Sequence, residues 1–410
     1  MTRLLANRDF RLYWAGATIS LFGDGVYFVA IAWQVYDLSN TPSALAVVGA
    51  FWMLPQLGGV LFAGAISDRF DRKRVMVWAN VTSGLAIGAI AVLSLEGTLE
   101  LWHLWILVVV YGLGVALFIP AAGAFVPEIV PADMLVEANA MRQFVRPLAM
   151  RLAGPALGGV LVAAAGLGTA FLADALSFFV AAGTLMLIRR TAPERATSVA
   201  TSFSQEVMDG VRFIRSQNWL WISLLAAAGW LLLYVGPLEV LLPFLVKNEI
   251  GAGARGLGFV FAAGGLGAML CSYVVGQAGL PRRALAFMYG TWSLGTFALG
   301  TVGLAVSLWQ AMLSSFFFFA FANVGEIVWQ TLLQRRVPNE LRGRVTSVDW
   351  LVSTGLVPVS FVITAPVAGA IGAGATMLGA GILGGLLLAA VMVLPPVLAP
   401  EEETPAPVHA

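Results

Sequence analysis

The sequence predicts an all-α integral membrane protein with twelve transmembrane helices arranged as two pseudo-symmetric six-helix bundles. Three observations lead there. Hydrophobic residues make up 59% and charged residues 11% of the 410 positions, far from the near-half apolar and quarter charged usage of water-soluble domains. The apolar residues are gathered into runs of the length, about 20 residues, that a helix needs to cross a hydrocarbon core of roughly 30 Å. The second half of the chain also repeats features of the first at matching places. Spans and short connections use up the length, which leaves nothing for a soluble catalytic domain.

The expected spans are 10–36, 45–66, 75–95, 102–119, 139–165 and 169–188, then 219–246, 256–277, 284–306, 308–332, 345–371 and 374–398. Arg3, Arg8 and Arg11 precede the first run. That run is too long for a signal-peptide core and has no small-residue cleavage site, so it is expected to be a retained span. When alternate connections are assigned to the two sides, only Lys247 and Arg255 of the 23 Lys and Arg fall on one of them. Basic residues beside spans are held in the cytoplasm during insertion, so both termini of this multi-pass protein are expected there. Residues 1–188 are then the N-terminal bundle, 189–218 a cytoplasmic linker and 219–398 the C-terminal bundle. Residues 399–410, with Glu401, Glu402 and Glu403, read as a disordered tail. Within the linker an amphipathic piece around Glu206 to Arg215 is expected to lie along the membrane surface.

The net charge of +1 argues against a nucleic-acid partner. Cys271, the single cysteine, excludes an internal disulfide, and His103 and His409 are too isolated to suggest a metal site. No metal and no cofactor are expected. An intramembrane enzyme would need a nucleophile with a base, or a metal cluster at depth, and neither is visible.

The two halves echo each other. Val130-Pro131-Ala132-Asp133 precedes span 5 and Val337-Pro338-Asn339-Glu340 precedes span 11. Each leads into a helix with a mid-span proline, Pro155 or Pro366, and a nearby glycine, Gly159 or Gly369. Such a matched repeat is the sign of two bundles related by an axis along the membrane normal.

The densest charge cluster is the connection Gly64-Ala65-Ile66-Ser67-Asp68-Arg69-Phe70-Asp71-Arg72-Lys73-Arg74, too short to be anything but a tight loop on a membrane face. Gly64, Asp68 and Arg72 are spaced at four residues. The loop resembles the signature between helices 2 and 3 of the major facilitator superfamily, Gly-x-x-x-Asp-x-x-Gly-Arg-Lys/Arg, with Asp71 at the second Gly. Phe22-Gly23-Asp24, Leu135 to Ala140, Ala173 to Phe178, and Val337-Pro338 with Leu341 to Val345 are similar to the macrolide-efflux and enterobactin-exporter branch of drug:proton antiporters. Gly154-Pro155-Ala156-Leu157-Gly158-Gly159 resembles the core of the exporters' antiporter motif, although Met141 and Met150 stand where the fuller motif has glycines. Tyr111-Gly112-Leu113-Gly114 departs from the same antiporters, which carry an Arg before the span-4 glycines. Gly276 to Arg283, after span 8, is a worn copy of the signature loop without its acid.

The resemblance implies a monomeric secondary transporter that exports small hydrophobic or amphipathic, drug-like compounds across the lipid bilayer by proton antiport. A central cavity lined by spans 1, 4, 7 and 10 would open alternately to each side. It further implies a conformational-switch loop in which Asp68 braces the start of span 11, where free N–H groups favour negative charge, and Arg72 pairs with Glu128. A dedicated exporter of a siderophore or lipid-like metabolite fits the residues equally, and a non-transporting receptor or channel is the alternative of another class.

Candidate working residues are ionisable or polar groups at depth, because an acid at a helix centre costs about 2.5–3.5 kcal/mol on insertion scales. Asp24 shares an arc of span 1 with Tyr27 and Gln34. Asn323, Glu326, Gln330 and Gln334 form a polar stripe on span 10. Glu239 lies in the outer third of span 7 beside Pro237 and Pro243. These three acids are proton-coupling or substrate candidates, Glu326 first for its longer stripe; hydrogen-bonded packing is the other reading of each. Trp230 and Tyr234, with Trp33 and Trp329, are candidates to cradle an apolar substrate. Asp174 is expected near the outer face with a packing role. Arg142, Arg146 and Arg151 open span 5 and reach toward the cytoplasmic interface, and Arg151, the deepest, is placed to face an intramembrane acid.

The charge asymmetry gives a topology test. An alkaline phosphatase fused at residue 200 should be inactive and one fused between Glu96 and Glu100 active; activity at residue 200 would overturn the span assignment.

Overall fold

The computed structural model describes residues 2–131, 134–189, 203–279 and 281–398, with the backbone alone for residues 2–3, 60–69, 136, 140, 143, 203–207, 209, 339–340, 396 and 398. Hydrocarbon offers backbone N–H and C=O groups no water, so a chain this apolar satisfies them internally as helices. The long helices run in order: α1 (Arg8–Ser39), α2 (Pro42–Arg69), α3 (Arg72–Leu95), α4 (Leu101–Ile129), α5 (Glu137–Ala165), α6 (Leu167–Met186), α7 (Asn218–Asn248), α8 (Ala254–Ala278), α9 (Ala284–Gly300), α10 (Leu308–Arg336), α11 (Leu341–Ile371) and α12 (Ala373–Met392). Among the described residues ten of them are long and apolar enough to cross a membrane. The others are α2, part of which is described by its backbone alone, and α9, of 17 residues, which continues into a 3-10 turn over Thr301–Leu304. The linker carries a helix at Phe203–Ser216, which docks on the start of α11 where Gly210 meets the backbone of Arg344. Residues 190–202 of the linker and 399–410 of the tail lie outside the described residues.

Helix ends follow capping chemistry. Asn7 accepts from the N–H groups of Asp9 and Phe10 at the start of α1, and its amide donates to the carbonyl of Ile129 at the end of α4. Asp71 accepts from the N–H of Arg74 at 2.8 Å. An acid there caps α3, which gives Asp71 a local purpose in place of a glycine. The helix α4 runs ten residues past the expected end at 119, through Pro120 and Pro127. Neighbouring helices support a proline inside a membrane helix better than water does, so Pro120 is not a terminator here.

Two turns between long helices depend on glycine. Gly166 links α5 to α6 with φ 85°, and Gly372 links α11 to α12 with φ 89°. Both conformations are open to glycine and strained for other residues, and the two sit at equivalent places in the halves.

Helices α1–α6 pack on one another, as do α7–α12, and the two bundles meet chiefly along α5 with α8 and α2 with α11. Polar ties join the bundles at one end. At the end away from the N terminus, here called the far end, Tyr36 donates to the carbonyl of Val240 at 2.5 Å. There too Asn40 donates to Asn248 at 2.9 Å, and Lys247 pairs with Asp37 at 2.5 Å. Close backbone contact supplies the rest of the seam: a Cβ on Gly159 would stand 2.7 Å from the carbonyl of Ala254 and 3.1 Å from Cα of Gly258.

Gly159→Leu should therefore hold the far end apart. With Cys271 replaced by Ser, a cysteine at Val240, 1% exposed, should react slowly with a membrane-impermeant maleimide and several-fold faster once Gly159→Leu is added. Unchanged labelling would show that the glycine contact does not close this end.

Candidate functional site

A cavity of about 480 Å³ lies within the first bundle. Asp24 of α1 lines it at mid-depth, opposite Trp52 and Gln56 of α2 and Tyr111 of α4, and Arg142 and Arg146 of α5 stand toward the basic end. Tyr111 donates to Oδ1 of Asp24 at 2.9 Å. A neutral phenol thus holds the acid at the place where the sequence departs from an Arg. Tyr27 is buried behind them, edge-on to Tyr111 at 5.1 Å and to Phe171 at 6.1 Å. The indole nitrogens of Trp14 and Trp52, both on the cavity lining, have no acceptor among the described residues. An acid, a phenol and two uncommitted donors in an aromatic wall suit an amphipathic ligand with a few polar atoms.

Asp174 is where the sequence reading needs correction. It is 0% exposed, not near a surface, and it packs against the backbone of Gly23 beside Asp24. Its Oδ1 faces Ser177 at 3.4 Å, while Oδ2 has no partner among the described residues. Sequence places an acid by depth along its helix; the α1–α6 packing that closes over Asp174 is tertiary.

In the second bundle Glu326 is exposed and accepts from Gln330 at 2.8 Å, and Glu239 is half-buried on a π turn spanning Pro237–Leu241. Tyr234 lies within electrostatic reach of both acids and of Arg151, which crosses from α5. These groups come from both bundles.

Other candidates are used elsewhere. Gln34 accepts from Ser94 at 2.8 Å and is buried between α1 and α3. Asn323 donates to the carbonyl of Ala268 and to Ser272, tying α10 to α8. Trp230 is 6% exposed, donates to Thr296 at 2.7 Å and stacks on Trp292 at 4.9 Å, which puts it in the core of the second bundle and not on an open wall. Trp329 donates to Asp349 at 3.3 Å. Trp33 lies under the ammonium of Lys247 at 5.3 Å. Asp349 is a buried acid that sequence reasoning missed, because it falls at the entrance of its span, where an acid reads as interfacial; Trp329, one helix away, was the signal.

At the basic end Arg72 pairs with Glu128 and also donates to the carbonyl of Ala124 at 3.3 Å, locking α3 to α4. Gly64 and Asp68 are on α2, with side chains outside the described residues. Of the glycine-rich motif, Gly154 lies against Gly25, and Gly158 against Val26 on α1. Gly159 turns to α8, and Pro155 offers its carbonyl to the close approach of Gly258.

A core role for Trp230 has a measurable cost. Trp230→Phe leaves the Thr296 hydroxyl without its donor and should lower stability by about 1–2 kcal/mol, read as a lower unfolding temperature in detergent with the substrate spectrum retained. A changed spectrum at unchanged stability would return Trp230 to the cavity wall.

Comparison with known proteins follows this geometry. The chain is 28% identical over 371 residues to the multidrug efflux pump Tap of Mycolicibacterium fortuitum, covering 85% of this chain and 87% of that protein. It is 21% identical over 374 residues to macrolide efflux protein A of Streptococcus pyogenes, covering 88% and 90%. Its fold matches that of a bacterial homologue of the iron transporter ferroportin, solved in an inward-facing state, with TM-score 0.68, 18% identity and 94% and 99% coverage. The family model of transmembrane secretion effectors, MFS_3, matches residues 3–408. The chain belongs to this family, and it is a multi-pass membrane transporter, not an enzyme.

Proposed function

We propose that the protein is a twelve-span exporter of small hydrophobic or amphipathic, drug-like compounds in the bacterial inner membrane, working as a monomer by proton antiport. Both termini and the linker 189–218 face the cytoplasm, and the bundles 1–188 and 219–398 rock against each other as bodies. The observation that carries the reading is the set of ties at the far end, where Tyr36 meets Val240, Asn40 meets Asn248 and Lys247 meets Asp37 across the two bundles. With the basic end in the cytoplasm, these ties close the outer side, as an exporter loading from the cytoplasm requires. The names of the efflux relatives support the direction of transport and the kind of cargo.

Export against a gradient needs a group that takes a proton from outside and releases it inside, with an affinity that depends on which way the cleft faces. Glu326 meets that need. It is exposed to the cleft, its Gln330 neighbour keeps a hydrogen bond to the carboxylate, and closing the basic end would withdraw water from it. Asp24 sits in the other bundle, held by Tyr111, and serves substrate binding or shares the proton. Asp68 and Arg72, with Glu128, form the switch at the basic end that trades one arrangement of the bundles for the other.

Glu326→Gln should abolish concentrative export from proteoliposomes while preserving binding and substrate-for-substrate exchange across the membrane. Uphill export with normal dependence on the pH gradient by this variant would pass the coupling role to Asp24, for which Asp24→Asn in the same vesicles is the deciding measurement.

A further inference from the structure

Two helices depart from α geometry on either side of the cleft, and they do so for the same reason. The helix α5 widens into a π turn over Leu148–Ala153, and α7 does so over Pro237–Leu241. Proline has no N–H to donate to the carbonyl four residues earlier. Pro155 leaves the carbonyl of Arg151 without that donor, and Pro243 does the same to the carbonyl of Glu239. Each widened turn therefore carries one ionisable side chain, a cation from the first bundle and an acid from the second. Single π turns of this kind are common at working sites.

The cation crosses the interface. Cζ of Arg151 lies 4.6 Å from the ring centroid of Phe319 on α10, and the backbone of α8 closes on its carbonyl, where a Cβ on Gly265 would stand 2.4 Å away. Glu239 and Tyr234 of α7 and Glu326 of α10 are within electrostatic reach of the guanidinium, with Arg146 of its own helix as the like charge. Among the described residues no carboxylate oxygen comes within 4.0 Å of it. Arg151 is exposed, as is Glu326. The charges thus face one another across accessible space and do not form a closed ion pair. Aromatic rings wall the space: Phe318 lies 4.9 Å from Phe319 and 5.4 Å from Tyr234.

Charges at this depth are costly unless compensated. A cation facing two acids without touching them compensates their field and leaves room for something else to do so. Rings around that room favour a positive charge carried on an apolar body.

We propose that Arg151 is a tethered counter-cation for Glu239 and Glu326, and that a positively charged amphiphile binds the cleft by displacing it. Arg151 then sets specificity by competition: it keeps the acids compensated in the empty transporter and weakens the binding of every cation by the same contest. This rests on the exporter reading above.

The test is equilibrium binding of tetraphenylphosphonium to the purified full-length protein in nanodiscs, with tetraphenylborate as an anion of matching shape. Arg151→Gln should bind the phosphonium several-fold more tightly and the borate no better. Glu239→Gln should bind the phosphonium more weakly, and adding Arg151→Gln to it should recover only part of the loss. If Arg151→Gln does not fold, Arg151→Met, which keeps an apolar stem against Phe319, gives the same reading. Unchanged or weaker phosphonium binding in the folded variant would overturn the proposal, as would tightening of both probes alike, which would report space gained and not charge removed. Absence of phosphonium binding in the wild type would overturn it too. Export of neutral compounds by the same preparation would then leave the exporter reading standing.

Discussion

Where α5 meets α8, two helix backbones from different bundles touch with no side chain between them. Lipid tails are as apolar as Leu or Phe, so helices in a bilayer gain little from burying such residues and associate through close packing instead. Gly159 and Gly258 allow that packing, and a Cβ at either would be driven into backbone. On its other side α5 presents Gly154 and Gly158 to α1. The helix is therefore pressed between its own bundle and the opposite one, and movement of one bundle against the other must part this seam. The symmetry-related contact is softer: at α2 and α11 the ring of Phe361 lies on Gly49. Polar ties add less. Lys247 and Asp37 are partly exposed, and such pairs contribute about 0–1 kcal/mol, so they fix which turns meet more than how firmly.

Depth along the membrane was legible in the sequence, and direction around each helix was not. Apolar runs marked the helices to within a few residues, and misplacement was greatest at Pro120, because proline terminates helices in water but not among supporting helices. Depth also marked Asp24, Glu239 and Glu326 as unusual. A soluble helix announces its buried face by hydrophobic periodicity. A membrane helix is apolar towards lipid and towards its neighbours, so the signal is missing where it is most needed. Gln34, Asn323 and Trp230 were read as facing a cavity, and each makes a hydrogen bond to a neighbouring helix. Asp174 was read as near the outer face with a packing role, and it packs enclosed beside Gly23 of α1. In each case the sequence supplied a polar group at depth, and its azimuth was set by tertiary packing.

The two groups of acids differ in what bundle motion can do to them. Asp24, its donor Tyr111 and the neighbouring Asp174 all belong to the first bundle. If that bundle moves as a body, their mutual distances are unchanged between states, and only access of water or substrate varies. Arg151, Glu239 and Glu326 come from both bundles, so rocking alters their separations directly. A ligand or proton shifts a conformational equilibrium only by the difference in its binding free energy between the states. A proton on the straddling acids meets a different field in each state, since the Arg151 guanidinium moves with one bundle and the carboxylates with the other. Under the proposed antiport, that difference would link protonation to conformation. The acids of the first bundle, by contrast, would keep a pocket of constant shape through such a motion.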